Sequence, residues 1–332
     1  MREREALLDV QNLAVSFSVN KQVNRVVDQI SFQLHEGEIL GIVGESGSGK
    51  SVTSLSIIGL LASPPGRIEG GEIEFDKRNL LTLSEKQMRK IRGNDISMIF
   101  QEPMTSLNPL FTIGDQLSEA LKIHKRVTKK QATERSIEVL TLVGLPRAEE
   151  LLSEYPHQLS GGMRQRVMIA MAMICEPRIL IADEPTTALD VTIQSQILAL
   201  MKKLNKETGT SIMLITHDLG VVAEVCDRVL VMYAGEIVEQ GDVKTILKEP
   251  EHPYTLGLLK SVPSLKSKTD RLYSIPGTVP NPGAIQTGCS FAPRCEFAFD
   301  RCHEESPGLY QKETNDHEVR CFLQEKEREQ YV

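Results

Sequence analysis

The chain has no run of apolar residues approaching the roughly 18 that a membrane-spanning helix needs. Nor does it open like a secretory leader: Met1-Arg2-Glu3-Arg4-Glu5 is charged and no apolar segment follows it closely. Positive charge is not in excess, with 38 Lys+Arg against 45 Asp+Glu and a formal net charge of -7. Aromatic residues make up 5 % of the chain and are not interleaved with a basic stripe, which argues against nucleic acid as a main ligand. The short basic stretch Lys122 to Lys130 reads as a solvated helix edge. No internal repeat is present. These absences lead us to expect a cytoplasmic protein that reaches a membrane only through partners. What remains is 332 residues, 40 % hydrophobic, enough for two or three domains with a packed core.

Against that background one string stands out. Glu38-Ile39-Leu40-Gly41-Ile42-Val43 is apolar and β-branched, as a buried parallel strand requires. It runs into Gly44-Glu45-Ser46-Gly47-Ser48-Gly49-Lys50-Ser51, a phosphate-binding loop. Its glycines let backbone N–H groups turn toward phosphate oxygens where a Cβ would intrude. Lys50 places a point charge on the β- and γ-phosphates, and the Ser51 hydroxyl reaches Mg²⁺. Val52 to Leu61 reads as the helix whose positive end faces the nucleotide. A second apolar strand, Arg178 to Ala182, delivers Asp183 and Glu184 at its end. Neighbouring strand residues point to opposite faces, so the two carboxylates take different tasks. Asp183 holds Mg²⁺ through water, and Glu184 polarises the attacking water as general base.

Further strings follow in a fixed order, and together they resemble the nucleotide-binding subunits of ABC transporters. Phe17 matches the aromatic that stacks on adenine, although a lone Phe in a strand suits a core equally well. Gln101, in Ile99-Phe100-Gln101-Glu102-Pro103, matches the glutamine that touches the metal and links the core to a helical subdomain. Leu159-Ser160-Gly161-Gly162-Met163 matches the signature motif, whose serine and glycine amides bind the γ-phosphate held by an opposite subunit. Met163 departs from the usual Gln there, while Ser160, Gly161 and Gly162 are intact. Thr187-Ala188-Leu189-Asp190 matches the D-loop, and His217 the histidine that contacts the γ-phosphate. The resemblance implies a P-loop NTPase (RecA-like) α/β core with an antiparallel β subdomain and an inserted helical subdomain. It also implies ATP and Mg²⁺ as ligands, and an ATPase active only once a second ATPase subunit, a copy or more commonly a paralogue, completes each site.

The stretch Gln101 to Leu110 is similar to that after the glutamine in ATPase subunits of oligopeptide and dipeptide importers. His252-Pro253-Tyr254-Thr255, Leu258-Leu259 and Val262-Pro263 resemble the opening of their C-terminal extension. Ile275-Pro276-Gly277 and Gly288 to Cys295 resemble its end, as in the D-type subunits with a cysteine-containing extension. The resemblance places the chain in the peptide/nickel importer branch. Its implied partners are two transmembrane permease subunits and an extracytoplasmic solute-binding protein, and its implied position is the cytoplasmic face of the cell membrane. Nickel stays open as cargo, since nothing in the residues reveals a peptide. A soluble ABC ATPase acting on nucleic acid or ribosomes would carry long insertions or two fused ATPase units, which this chain lacks. An iron–sulfur redox regulator with vestigial ATP binding is opposed by the complete set Gln101, Glu184 and His217.

Of six cysteines, Cys175 and Cys226 sit in apolar context, while Cys289, Cys295, Cys302 and Cys321 fall in the last 44 residues. A reducing cytosol disfavours disulfides, and neither short gap gives the tight pair usual for zinc. Four loosely spaced thiolates suit an iron–sulfur cluster better, and the family resemblance implies a [4Fe–4S] cluster for members with this pattern. Zinc and unliganded thiols remain the other two readings. A Pro-rich tail with few side chains to bury gains from such a staple, in a structural or redox-sensing role.

The expected organisation is a β subdomain and first part of the ATPase core over 1–101, a helical subdomain over 102–168, the second part of the core over 169–244 and the extension over 245–332. Expected elements include helices at 84–92 and 131–143, the latter with Ala132, Ile137, Leu140 and Val143 inward. Strands are expected at 178–183, 211–216 and 228–233, with a hairpin-like end at 235–241.

Overall fold

The computed structural model describes residues 5–19, 22–101, 106–187, 190–262, 273–280, 287–312 and 317–325. Within the motifs read above, Glu102 to Thr105, Ala188, Leu189 and Pro263 lie outside them. The chain divides into two compact units, one chiefly His35–Ile39 and Thr82–Ile215, the other Ala6–Leu34, Leu40–Leu81 and the chain from Thr216 on.

In the second unit, β1 (Ala6–Val19) lies between β2 (Gln22–His35) and β4 (Gly66–Phe75), with β5 (Arg78–Asn79) at the edge. Leu8 pairs with Phe75 and Phe17 with Gly66 in an antiparallel register. This is the antiparallel portion that the family resemblance implies. Strand β3 (Ile39–Val43) is buried along its length and runs parallel to β9 (Arg228–Tyr233), Leu40 opposite Arg228. The hairpin to β10 (Glu236–Asp242) turns at Ala234 and Gly235, both at positive φ. The next pairing leaves no trace in the sequence: β12 (Glu318–Val319) adds to β10, with Glu239 opposite Val319, and β11 (Tyr310–Gln311) adds to β12. The extension is thus stitched into the unit's own sheet. Tyr233, Tyr254 and Phe291 fill its core with Val43, Val229 and Val231. The Tyr233 ring meets Tyr254 at 4.7 Å and Phe291 edge-on at 5.2 Å, and such pairs contribute about 1 kcal/mol each beyond burial.

In the other unit β6 (Ile96–Ile99), β7 (Ile179–Asp183) and β8 (Ser211–Thr216, its last residue falling in the second unit) run parallel. All eleven positions of β7 and β8 are buried, which explains why they read as continuous rather than alternating strands. The helix expected at 131–143 spans Lys129–Leu142, because the Thr128–Gln131 capping box starts it earlier. Its buried face is Ala132, Ser136, Val139 and Leu140; Ile137 is half-buried, and Val143 beyond the last turn is buried. The basic stretch is not one helix edge. It leaves helix Ile113–His124, turns through Arg126 at φ +52° and enters the next helix, exposed over most of its length.

The helix after the phosphate loop is Lys50–Ile57, two residues earlier at its start than expected and four shorter at its end. Gly49, at φ +101°, makes the early start: in that backbone region a side chain is strained, and a Cβ would stand 2.9 Å from the Val26 carbonyl oxygen. Lys50 and Ser51 consequently sit in the first helical turn.

Candidate nucleotide site and cysteine cavity

The phosphate loop closes on itself. The Lys50 side chain is buried, and its Nζ donates to the carbonyl oxygens of Gly44 at 2.8 Å and Glu45 at 3.0 Å. Ser46 and Gly47 are exposed at the crest, Ser51 and Val52 half-buried. Two residues outside the motif grip the loop. The Glu45 N–H donates to the Tyr254 hydroxyl at 2.8 Å, and the Glu45 carboxylate accepts from Arg294 at 2.7 and 3.1 Å. Neither grip was legible in the sequence, because both residues lie some 200 or more positions downstream. In the same unit Phe17 is half-buried on β1 and so is not a fully packed core residue, and His217 is exposed directly after β8.

The second carboxylate group is built at the end of β7. Asp183 is buried. Glu184, one residue on, adopts φ +47° and donates its N–H to the Ile215 carbonyl at 2.9 Å. Such a backbone conformation costs a non-glycine residue on the order of 1–3 kcal/mol and clusters at functional positions. The Glu184 carboxylate accepts from the Gln101 amide at 3.2 Å and from the Thr187 hydroxyl at 2.8 Å. The structure therefore brings Gln101 and Glu184 together, though they are 83 residues apart in sequence. No sequence signal marks Thr187 as a partner of Glu184; only the fold brings its hydroxyl there.

Ser160 caps helix Gly161–Met173, accepting from the Met163 N–H at 3.4 Å. Ser160 and Gly161 are exposed, and a Cβ added at Gly161 would meet nothing within 4 Å. A 13-residue helix thus presents its unobstructed N-terminus, a positive dipole end suited to phosphate. Asp190 caps helix Val191–Thr208 through the Ile193 N–H at 2.9 Å.

Cys289, Cys295, Cys302 and Cys321 line one cavity, together with His252, Phe291, Phe322 and Leu323. Gly288, at φ +85°, permits the close backbone approach that donates the Cys289 N–H to the Cys302 carbonyl at 2.8 Å. Burial pushes the Cys289 thiol up to about 11 and the Cys321 thiol up to about 12, and raises Cys295 as well. None of the six cysteines forms a disulfide. Among the described residues no group of three or more His, Cys, Asp or Glu is set to hold a metal ion.

Residues 27–187 match the ABC transporter family, and residues 238–302 match the oligopeptide/dipeptide transporter C-terminal region. The oligopeptide transport ATP-binding protein AppD of Bacillus subtilis is 54 % identical over 321 residues, 97 % of this chain and 98 % of that protein. The chain belongs to the ATP-binding subunits of oligopeptide/dipeptide ABC transporters. The dipeptide transport ATP-binding protein DppD of Haemophilus influenzae is 53 % identical, over 92 % of each chain. Among solved structures, the dimeric post-hydrolysis state of the ATP-binding cassette MJ0796 bound to ADP and Pi matches with a TM-score of 0.63. The match is 31 % identical and covers 71 % of this chain and 98 % of that one. This subunit therefore has the ABC ATPase fold and is an ATPase of that family. No helix among its described residues is long and apolar enough to cross a membrane.

Proposed function

We propose that this subunit hydrolyses ATP to energise import of dipeptides or oligopeptides, working in a pair at the cytoplasmic face of a cell membrane. The observation that carries the reading is the exposed, unobstructed helix start at Ser160 and Gly161 in a chain that also holds a complete phosphate loop. A donor set facing outward is what a nucleotide held by another subunit requires. Roles follow residue by residue. Phe17 stacks on adenine. Gly44, Glu45, Ser46, Gly47, Ser48, Gly49 and Val52 shape the loop around the phosphates, and Lys50 neutralises them. Ser51, Asp183 and Gln101 are oxygen donors suited to Mg²⁺, which would offset phosphate charge when bound. Glu184, held by Gln101 and Thr187, takes the proton of the attacking water, and His217 contacts the γ-phosphate. Ser160, Gly161, Gly162 and Asp190 serve the partner's nucleotide. Region 102–168 transmits closure to two permease subunits, which a solute-binding protein loads from outside.

The names of the relatives favour peptide over nickel as cargo. A strain carrying Lys50→Ala should lose uptake of a labelled dipeptide or oligopeptide. Unchanged peptide uptake with loss of nickel accumulation would overturn the cargo.

A second reading concerns the cysteine cavity, and the observation favouring it is the convergence of four thiols around one largely apolar space. Cys289, Cys295, Cys302 and Cys321 would supply the four thiolates that a [4Fe–4S] cluster usually takes, and its chemistry would be one-electron transfer or a structural staple. Iron and sulfide analysis of anaerobically purified protein tests it: a colourless, iron-free and folded sample rules the cluster out.

A further inference from the structure

Within the extension, the short turn Ala292–Arg294 carries a charged residue and leads directly into a cavity cysteine. Arg294 ends that turn, immediately before Cys295, and its side chain is only 4 % exposed. A guanidinium has five N–H groups in a fixed fork, and here each nitrogen is engaged. Nε donates to the Pro276 carbonyl at 2.8 Å. One terminal nitrogen reaches the Glu45 carboxylate at 2.7 Å and the Tyr233 hydroxyl at 3.4 Å. The other reaches Glu45 at 3.1 Å and the Ile275 carbonyl at 3.3 Å. The group also lies over the Tyr233 and Phe291 rings, at 5.7 and 6.0 Å. Phe291 lines the cysteine cavity.

The partner of this fork is the unusual part. Glu45 is a carboxylate on the loop that receives anionic phosphates, where an unpaired negative charge would repel the ligand. A bidentate, nearly buried arginine pairs that charge and fixes its direction, while Tyr254 fixes the adjoining N–H. We propose that Arg294 is a positioning residue for the phosphate loop, tying nucleotide affinity to the state of the cysteine lobe. The link is reciprocal by thermodynamic necessity: whatever ATP does to the lobe, the lobe does to ATP. It rests on ATP binding at the loop and is independent of any metal in the cavity.

Two measurements on the full chain test it. Arg294→Met should weaken binding of a fluorescent ATP analogue about tenfold, the usual size of coupling within one charged network. Adding Glu45→Gln should restore most of that affinity, since the exposed charge disappears with it. A double variant no tighter than Arg294→Met alone would overturn the proposal. Where Arg294→Met fails to fold, the unaltered chain decides. ATP should slow hydrogen exchange of residues 288–302, and Glu45→Gln should abolish that slowing. An exchange pattern in 288–302 indifferent to ATP in the unaltered chain sinks the inference.

Discussion

The Gln101 amide donates to the Glu184 carboxylate at 3.2 Å, joining the loop that leaves β6 to the residue that follows β7. Thr187 makes a second contact at 2.8 Å to the same oxygen, Oε2, so that oxygen is engaged by two donors. A general base is effective only when its lone pair is aimed, and in the role proposed for Glu184 this pair of donors would supply the aim.

Glu184→Gln should therefore bind ATP normally and hydrolyse it about 10²–10⁴-fold more slowly. Single-turnover phosphate release measures this. Gln101→Ala leaves Thr187 in place and should lose less. Turnover at the unaltered rate in Glu184→Gln would remove Glu184 from the role.

Gly161 and Gly49 should separate assembly from folding. Gly161→Ala meets nothing within 4 Å, so its melting temperature should stay unchanged. ATP-driven pairing, followed by light scattering in the Glu184→Gln background with the natural partner, should be weakened. Gly49→Ala forces a side chain into φ +101° beside the Val26 carbonyl, and should lower stability by about 1 kcal/mol or more and nucleotide affinity with it. Equal effects of the two on melting would contradict this division.

Gly288→Ala would place a Cβ 2.7 Å from the Cys302 carbonyl oxygen. The Cys289–Cys302 approach must then open. On the proposed cluster reading, iron bound per chain should fall in Gly288→Ala and in Cys321→Ser alike, with ATP hydrolysis far less affected than in Glu184→Gln. Full iron content in Gly288→Ala would show that the approach is dispensable.

Glu239 is wholly buried, and it accepts from the N–H groups of Glu251 and His252 while the His317 ring lies 2.8 Å away. Glu239→Leu strands these groups and should cost about 3 kcal/mol. A denaturant midpoint unchanged from that of the unaltered chain would refute the importance of this junction.

The sequence alone determined what local chemistry encodes. Strands Ile179–Asp183 and Ser211–Thr216 were legible because burial on both faces writes an unbroken apolar run, and the phosphate loop because its glycine spacing has few other uses. Lys129–Leu142 was legible as a helix but blurred at its start, where a capping side chain outweighs periodicity. Tertiary structure alone decided what meets what: Gln101 with Glu184, Arg294 with Glu45, β12 with β10, four thiols around one space. Such pairings leave no periodic trace, since strand addition and ion pairing depend on where distant chain segments are brought, not on their neighbours in sequence.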